Sequence, residues 1–314
     1  MTYFVLASVL SRPVPTAPLA SDQRKFWLES WDGTVTIPIT TSRVWFGPLD
    51  GSTGLDVAPT QVLTAVQPGV AGSMVTDVLT LERPVVLALD LRTTSKAEQD
   101  EQMAFLRDLV NPSAGMTRDG NFRLLCASPA GVRRLGLAYQ SGLEGDGKET
   151  TTFQRVVLNC VAPQPFAEDL NDQSVPFQIA PDTMPGIGAN WGSVGLATTT
   201  VLSEDTPVQM QSATPVYPTL TLKGPATSIL IEGDNGLRVD IPTALSAGDT
   251  FVMVTDPRRK SIRLNGAPAA GKVARGSRTP AFNLGTTLIS VTAPGATNAT
   301  TLTLGWRGLH GSLS

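Results

Sequence analysis

A mainly β protein with two domains is what the sequence predicts. Three observations carry that reading: the chain has 29 glycines and 24 prolines in 314 residues, only 16% of it is charged, and short apolar runs alternate with turn residues along most of its length. At about 150 residues per domain the length divides in two, each half large enough to bury a core without disulfides or metals. The division falls between residues 1–165, a β domain with one helix, and residues 166–314, a β-sandwich of the jelly-roll or lectin type.

The apolar run at residues 3–10 has no positive residue before it, and Arg12 and Pro13 follow directly, so it reads as an opening strand and not as a targeting signal. Asp32-Gly33 is a hairpin signal, with Val35, Ile37 and Ile39 then sharing one face at period two. Pro38 cannot donate a ladder hydrogen bond, which puts this strand at a sheet edge or a bulge. From Phe46 to Ser73 the chain is rich in Gly, Pro, Ser and Thr, the mark of long loops or a protruding arm that contacts a partner.

A helix is expected over 96–110. Ser95 with Glu98 makes a capping box, Asp100 and Glu101 favour the N-terminal end, and Asn111-Pro112 stops the run. Met103, Phe105, Leu106, Leu109 and Val110 form the stripe that packs on a sheet. Strands follow at 122–127, 132–140 and 151–161, divided by the turns 128–131 and Glu144-Gly145-Asp146-Gly147.

Residues 166–180 read as an acidic connector containing Glu168, Asp169 and Asp172. Short strands are then expected at 197–202, 207–211, 216–223, 227–232, 236–241, 250–255, 260–264, 286–292 and 300–306. Gly224-Pro225, Asn235-Gly236 and Asn265-Gly266 supply turns between them. Charge is uneven here, acidic through 166–250 and basic through 251–314. Either the two stretches neutralise each other within one sandwich, or an acidic patch meets a basic one on a neighbouring subunit.

Composition excludes much chemistry. With one histidine, His310, and two cysteines, Cys126 and Cys160, a single chain holds no multi-histidine metal site and no zinc finger. His310 lies between Leu309 and Gly311 in what reads as a solvent-exposed tail, unsuited to holding a catalytic base. Both cysteines sit in alternating apolar runs and read as reduced core thiols. The Gly186–Gly192 segment has the third glycine of a dinucleotide loop one residue late and no helix after it, so it reads as a plain loop. Trp191 within it either covers the core or stacks on a sugar. Asp256-Pro257-Arg258-Arg259-Lys260 reads as a hairpin turn with solvated arginines. Asp32, Asp50, Asp146, Asp234 and Asp249 occupy turn positions. Asn298-Ala299-Thr300 is a glycosylation sequon that only a secreted chain would use. A net charge of -3 gives no pull toward nucleic acid, and no run approaches the roughly twenty apolar residues of a membrane span. No catalytic, cofactor or metal residue is assigned.

Several segments together resemble the distal tail protein (Dit) family of siphophages, the phages with long flexible tails. In the first half these are the capped helix with Asn111-Pro112, Gly120-Asn121-Phe122-Arg123-Leu124, Gly131-Val132-Arg133-Arg134-Leu135, Ser141-Gly142-Leu143-Glu144 and the run Val156–Pro165. In the second they are Pro215–Pro225, Gly248–Asp256 and Ile262-Arg263-Leu264-Asn265-Gly266. The resemblance implies a β-sandwich-type belt domain over 1–165 that forms a ring, and a galectin-like β-sandwich over 166–314 placed outside it. It further implies a structural virion protein, not an enzyme and without cofactors, made in the bacterial host cytoplasm. Six copies would form a ring at the distal end of the tail. The ring would meet the tube protein, the tape measure protein and the tail-tip hub with its receptor-binding proteins, and DNA would pass its lumen without specific binding. A carbohydrate-binding tail protein for host adhesion is the alternative, although the chain has no room for the large carbohydrate-binding insertion of some members.

Overall fold

A computed structural model describes residues 24–40, 42–48, 50–69, 71–112, 117, 119–143, 152–178, 206–297 and 299–313. The strands expected at 3–10 and 197–202, the turn at 144–147, the 186–192 loop with Trp191, and Asn298 lie outside the described residues. The chain forms two compact units, residues 1–171 with 310–314, and residues 172–309.

The first unit contains β1 (Lys25–Ser30), β2 (Thr36–Pro38), β3 (Trp45–Phe46), β4 (Thr60–Ala65), β5 (Met74–Thr80), β6 (Arg83–Arg92), α1 (Lys96–Val110), β7 (Phe122–Ser128), β8 (Gly131–Ser141), β9 (Phe153–Ala162) and β10 (Ala167–Asp169). Its main sheet runs in the order β2-β1-β7-β8-β9-β6-β3, with β10 added beside β8. Pro38 is accordingly in the edge strand, with no neighbour among the described residues that needs its missing N–H. Period-two alternation sends Val85, Leu87, Leu89 and Leu91 of β6, and Val156, Leu158 and Cys160 of β9, into one core. Ile37, Ile39, Trp45 and the apolar stripe of α1 join them.

The helix spans the expected residues. Ser95 Oγ accepts from the Glu98 N–H at 3.2 Å. The return half of the cap differs from expectation, because the Glu98 carboxylate accepts from the backbone and hydroxyl of Thr94, both at 2.8 Å. These two hydrogen bonds, backbone first, lower the Glu98 pKa. At the other end Asn121 donates to the Val110 carbonyl at 2.6 Å and accepts from the Tyr139 N–H at 3.2 Å, tying the last turn to β8. Gly120 before it has φ 120°, and a Cβ there would meet the Leu137 carbonyl oxygen at 2.3 Å, so only glycine fits.

The second unit is a sandwich built from β11 (Gln173–Gln178), β12 (Thr206–Met210), β13 (Thr219–Lys223), β14 (Ile229–Gly233), β15 (Arg238–Ile241), β16 (Thr250–Val254), β17 (Ser261–Leu264), β18 (Ala267–Pro268), β19 (Gly285–Thr292) and β20 (Thr301–Trp306). One sheet has the order β11-β20-β13-β16-β17-β18 and the other β12-β19-β14-β15. Inward residues of both sheets, among them Leu222, Phe251 and Leu302 from the first and Ile231, Val239 and Ile289 from the second, make one core. The Asn265-Gly266 turn has φ 50° and 81°, the left-handed pair that a two-residue hairpin requires.

The acidic connector expected at 166–180 is corrected: residues 167–169 and 173–178 are strands. The acids misled because they are paired. Glu168 bonds Arg134 at 3.2 Å, Asp169 bonds His310 at 2.8 Å, and Asp172 bonds Arg307. The last of these joins the acidic stretch to the basic one inside one unit. The tail reading of His310 is also corrected. The residue lies in β21 (Leu309–His310), which pairs with β10, and its side chain is half-buried.

Candidate assembly surface

Among the described residues, strands β4 and β5 pair only with each other and form a two-stranded ribbon outside the main sheet. At about 3.3 Å per residue its seven-residue strand extends ~20 Å. Every residue of the two strands except Leu63 is exposed. Between Thr60 and Leu81 the only charged residue is Asp77, and its carboxylate is occupied by the Val78 N–H at 2.7 Å.

Register sorts the side chains. Thr60 opposes Thr80, Val62 opposes Val78, and after a bulge Thr64 opposes Val75. One face of the ribbon is thus made of β-branched, uncharged residues. The other carries Gln61, Leu63, Ala65, Met74, Asp77 and Leu79. Val62, Val75 and Val78 are each more than half exposed. An isolated two-stranded hairpin is marginal in water, and exposed apolar surface with open strand edges is suited to a protein partner.

The feet of the ribbon are firmly built. Thr53 exchanges hydrogen bonds with Val86 at 2.9 and 3.1 Å. Gly54 has φ 79°, and a Cβ there would meet the Pro84 carbonyl at 2.1 Å. Leu81 N–H closes the base on the Pro59 carbonyl at 3.0 Å. The sequence places an arm over 46–73; the ribbon is 60–80. Glycines and prolines at 47–54 and 68–72 masked the signal, which lay in the β-branched alternation around Val62 and again around Val78.

Other candidate residues fall elsewhere. Cys126 and Cys160 are buried free thiols, pushed by desolvation up to about 11 and about 12 respectively. Asp256 to Lys260 form a turn in which Arg258 bonds Asp256 at 3.0 Å. A cleft of about 460 Å3 is lined by Trp31, Asp32, Phe105 and Asp108 among others. The Arg123 guanidinium lies 4.4 Å from the Trp31 ring centre. Asp32 there accepts from Ser30 Oγ at 2.6 Å and from the backbone and hydroxyl of Thr34 at 3.1 and 2.8 Å. These bonds, that of Ser30 foremost, hold its carboxyl down at about 2. No helix among the described residues is long and apolar enough to cross a membrane.

Against solved structures, the crystal structure of SPP1 Dit superposes with a TM-score of 0.60 at 15% identity, covering 90% of this chain and 98% of that one. The chain shares the fold of SPP1 Dit. That protein is described as a paradigm of the hub adsorption apparatus in phages infecting Gram-positive bacteria. Two structures of the phage P2 baseplate in its activated conformation also match. With Ca the TM-score is 0.50 at 9% identity, over 90% of this chain and 98% of the other. With Sr it is 0.50 at 10%, over 91% and 98%. No protein-family model and no curated protein sequence matches.

Proposed function

We propose that this chain is a non-enzymatic structural protein of a phage tail, located in the virion at the tail tip. Six copies close into a ring at the distal end of the tail. The ring connects the tube protein and the tape measure protein above to the tip, hub and receptor-binding proteins below. The supporting observation is the fold shared with SPP1 Dit across 90% of the chain, which includes both units in one order. The exposed ribbon accords with this reading, since a ring requires a repeated head-to-tail contact and a projecting arm reaches a neighbour. In that contact the Val62, Val75 and Val78 face is covered by the next subunit.

Native mass spectrometry with negative-stain class averages, over a range of concentrations and with purified tail tubes added, tests the proposal. A sixfold ring with a central hole, free or on the tube end, is the expected result. A chain that stays monomeric at all concentrations and does not add to tubes would overturn it.

A further inference from the structure

Residues 310–313 return to the first unit and attach to it at successive positions. His310 Nε2 lies 2.8 Å from Asp169 Oδ1. The Gly311 carbonyl accepts from Arg83 Nη1 at 3.0 Å, and the Ser312 carbonyl accepts from Arg133 Nη1 at 3.1 Å. Leu313 is buried in the core at 1% exposure, and its N–H donates to the Leu55 carbonyl at 3.2 Å.

Two of these anchors converge on the feet of the ribbon. Leu55 stands at the entry, five residues before β4, and its side chain packs against the core that holds Leu313. Arg83 stands at the exit, three residues after β5, and is fully buried. Its Nε donates across the feet to the Gly54 carbonyl at 2.5 Å. Its Nη1 reaches both Gly311 and the Pro165 carbonyl, the latter at 3.1 Å. A guanidinium presents a rigid fork of donors, so one side chain holds three backbone segments at fixed angles. A buried cation hydrogen-bonded to neutral carbonyls is costly to fold around, with the Asp56 charge offsetting part of its burial, and its partners here are the ribbon entry, the Pro165 segment and the returning chain.

We infer that residues His310–Leu313 are a strap that fixes the base of the ribbon, and through it the direction in which the ribbon projects, with Arg83 as the positioning residue that joins strap to foot. The strap acts on the ribbon base alone; its consequence for assembly rests on the ring reading above. A ribbon whose base is held loses less conformational freedom on docking than one hinged at both feet.

Hydrogen exchange of the full chain, read by mass spectrometry, tests the strap. In Leu313→Ala and in Arg83→Met, exchange at the amides of Thr53, Leu81 and Val86 is expected to rise through local opening by about tenfold or more beyond any rise in α1, with the β13–β16 pair of the second unit unchanged. Should Arg83→Met fail to fold, Leu313→Ala decides the matter together with Arg83→Lys, which keeps the charge and loses the fork. Unchanged exchange at the ribbon base in the folded variants would overturn the inference. So would a rise spread evenly over the whole first unit, because Leu313 would then be core filling and nothing more. Ring assembly of the unaltered chain is measured alongside. A loosened base in a chain that never forms rings sinks the ring reading and leaves the strap, and a ring-forming chain with an unmoved base does the reverse.

Discussion

At the scale of single residues, the groups with perturbed acidity are explained by their neighbours, and they yield two predictions. Asp32 is exposed, yet three short hydrogen bonds favour its charged form. A carboxyl depressed in the folded state contributes stability above its ordinary pKa, and that contribution is lost as pH falls toward about 2. Thermal melts should therefore show Asp32→Asn below wild type at neutral pH, with the gap closing as the solution is acidified through that range. A gap that persists undiminished in acid would contradict the assignment. Burial raises both Cys126 and Cys160, and at Cys126 it outweighs the charges of Arg24 and Arg133, which favour the thiolate. Neither should react with a thiol reagent at mildly alkaline pH in the folded chain, and both should react once urea unfolds it.

At the scale of elements, the helix and the ribbon behave oppositely. The helix has both ends satisfied from within, by Ser95 and Thr94 at one end and Asn121 at the other. Ser95→Ala leaves the Glu98 N–H without its acceptor and should cost about 1 kcal/mol in urea unfolding. The ribbon has its backbone paired across two strands and its side chains in solvent. Val62→Ser with Val78→Ser should change the stability of the monomer by less than about 0.5 kcal/mol, because both side chains are more than half exposed. The same double variant should weaken ring assembly by about tenfold or more, read as a concentration shift in native mass spectra. Equal assembly by variant and wild type would remove the ribbon from the interface.

At the scale of the whole molecule, two units share one chain that leaves the first at residue 171 and re-enters it at 310. The second unit is thus an insertion between β10 and β21, which are themselves paired. That topology makes a short segment late in the chain part of the first core, and Leu313 there is as buried as Leu106 of the helix. Leu313→Ala should for this reason destabilise the first unit by about 2–5 kcal/mol, the ordinary range for emptying a leucine site in a core. Chemical denaturation followed by tryptophan fluorescence measures it, since Trp27 and Trp45 both lie in the first unit. A loss under about 1 kcal/mol would mean that the segment is peripheral.

By itself the sequence determined what nearest neighbours along the chain decide. The helix bounds came from Ser95, Glu98 and Asn111-Pro112, the choice of edge or bulge for the second strand from Pro38, the buried thiols from their alternating surroundings, and the sandwich from repeated short strands with Asn-Gly turns. These are local periodicities and turn preferences, expressed within a few residues. Only the tertiary structure decided which acids are paired, that β4 and β5 stand apart as a ribbon, and that His310 meets Asp169. Arg83 and Gly311 are 228 residues apart, and nothing near either one announces the other. A carboxylate in solvent and a carboxylate facing an arginine read alike in sequence, because pairing across such distances is a property of the packed chain and leaves no periodicity along it.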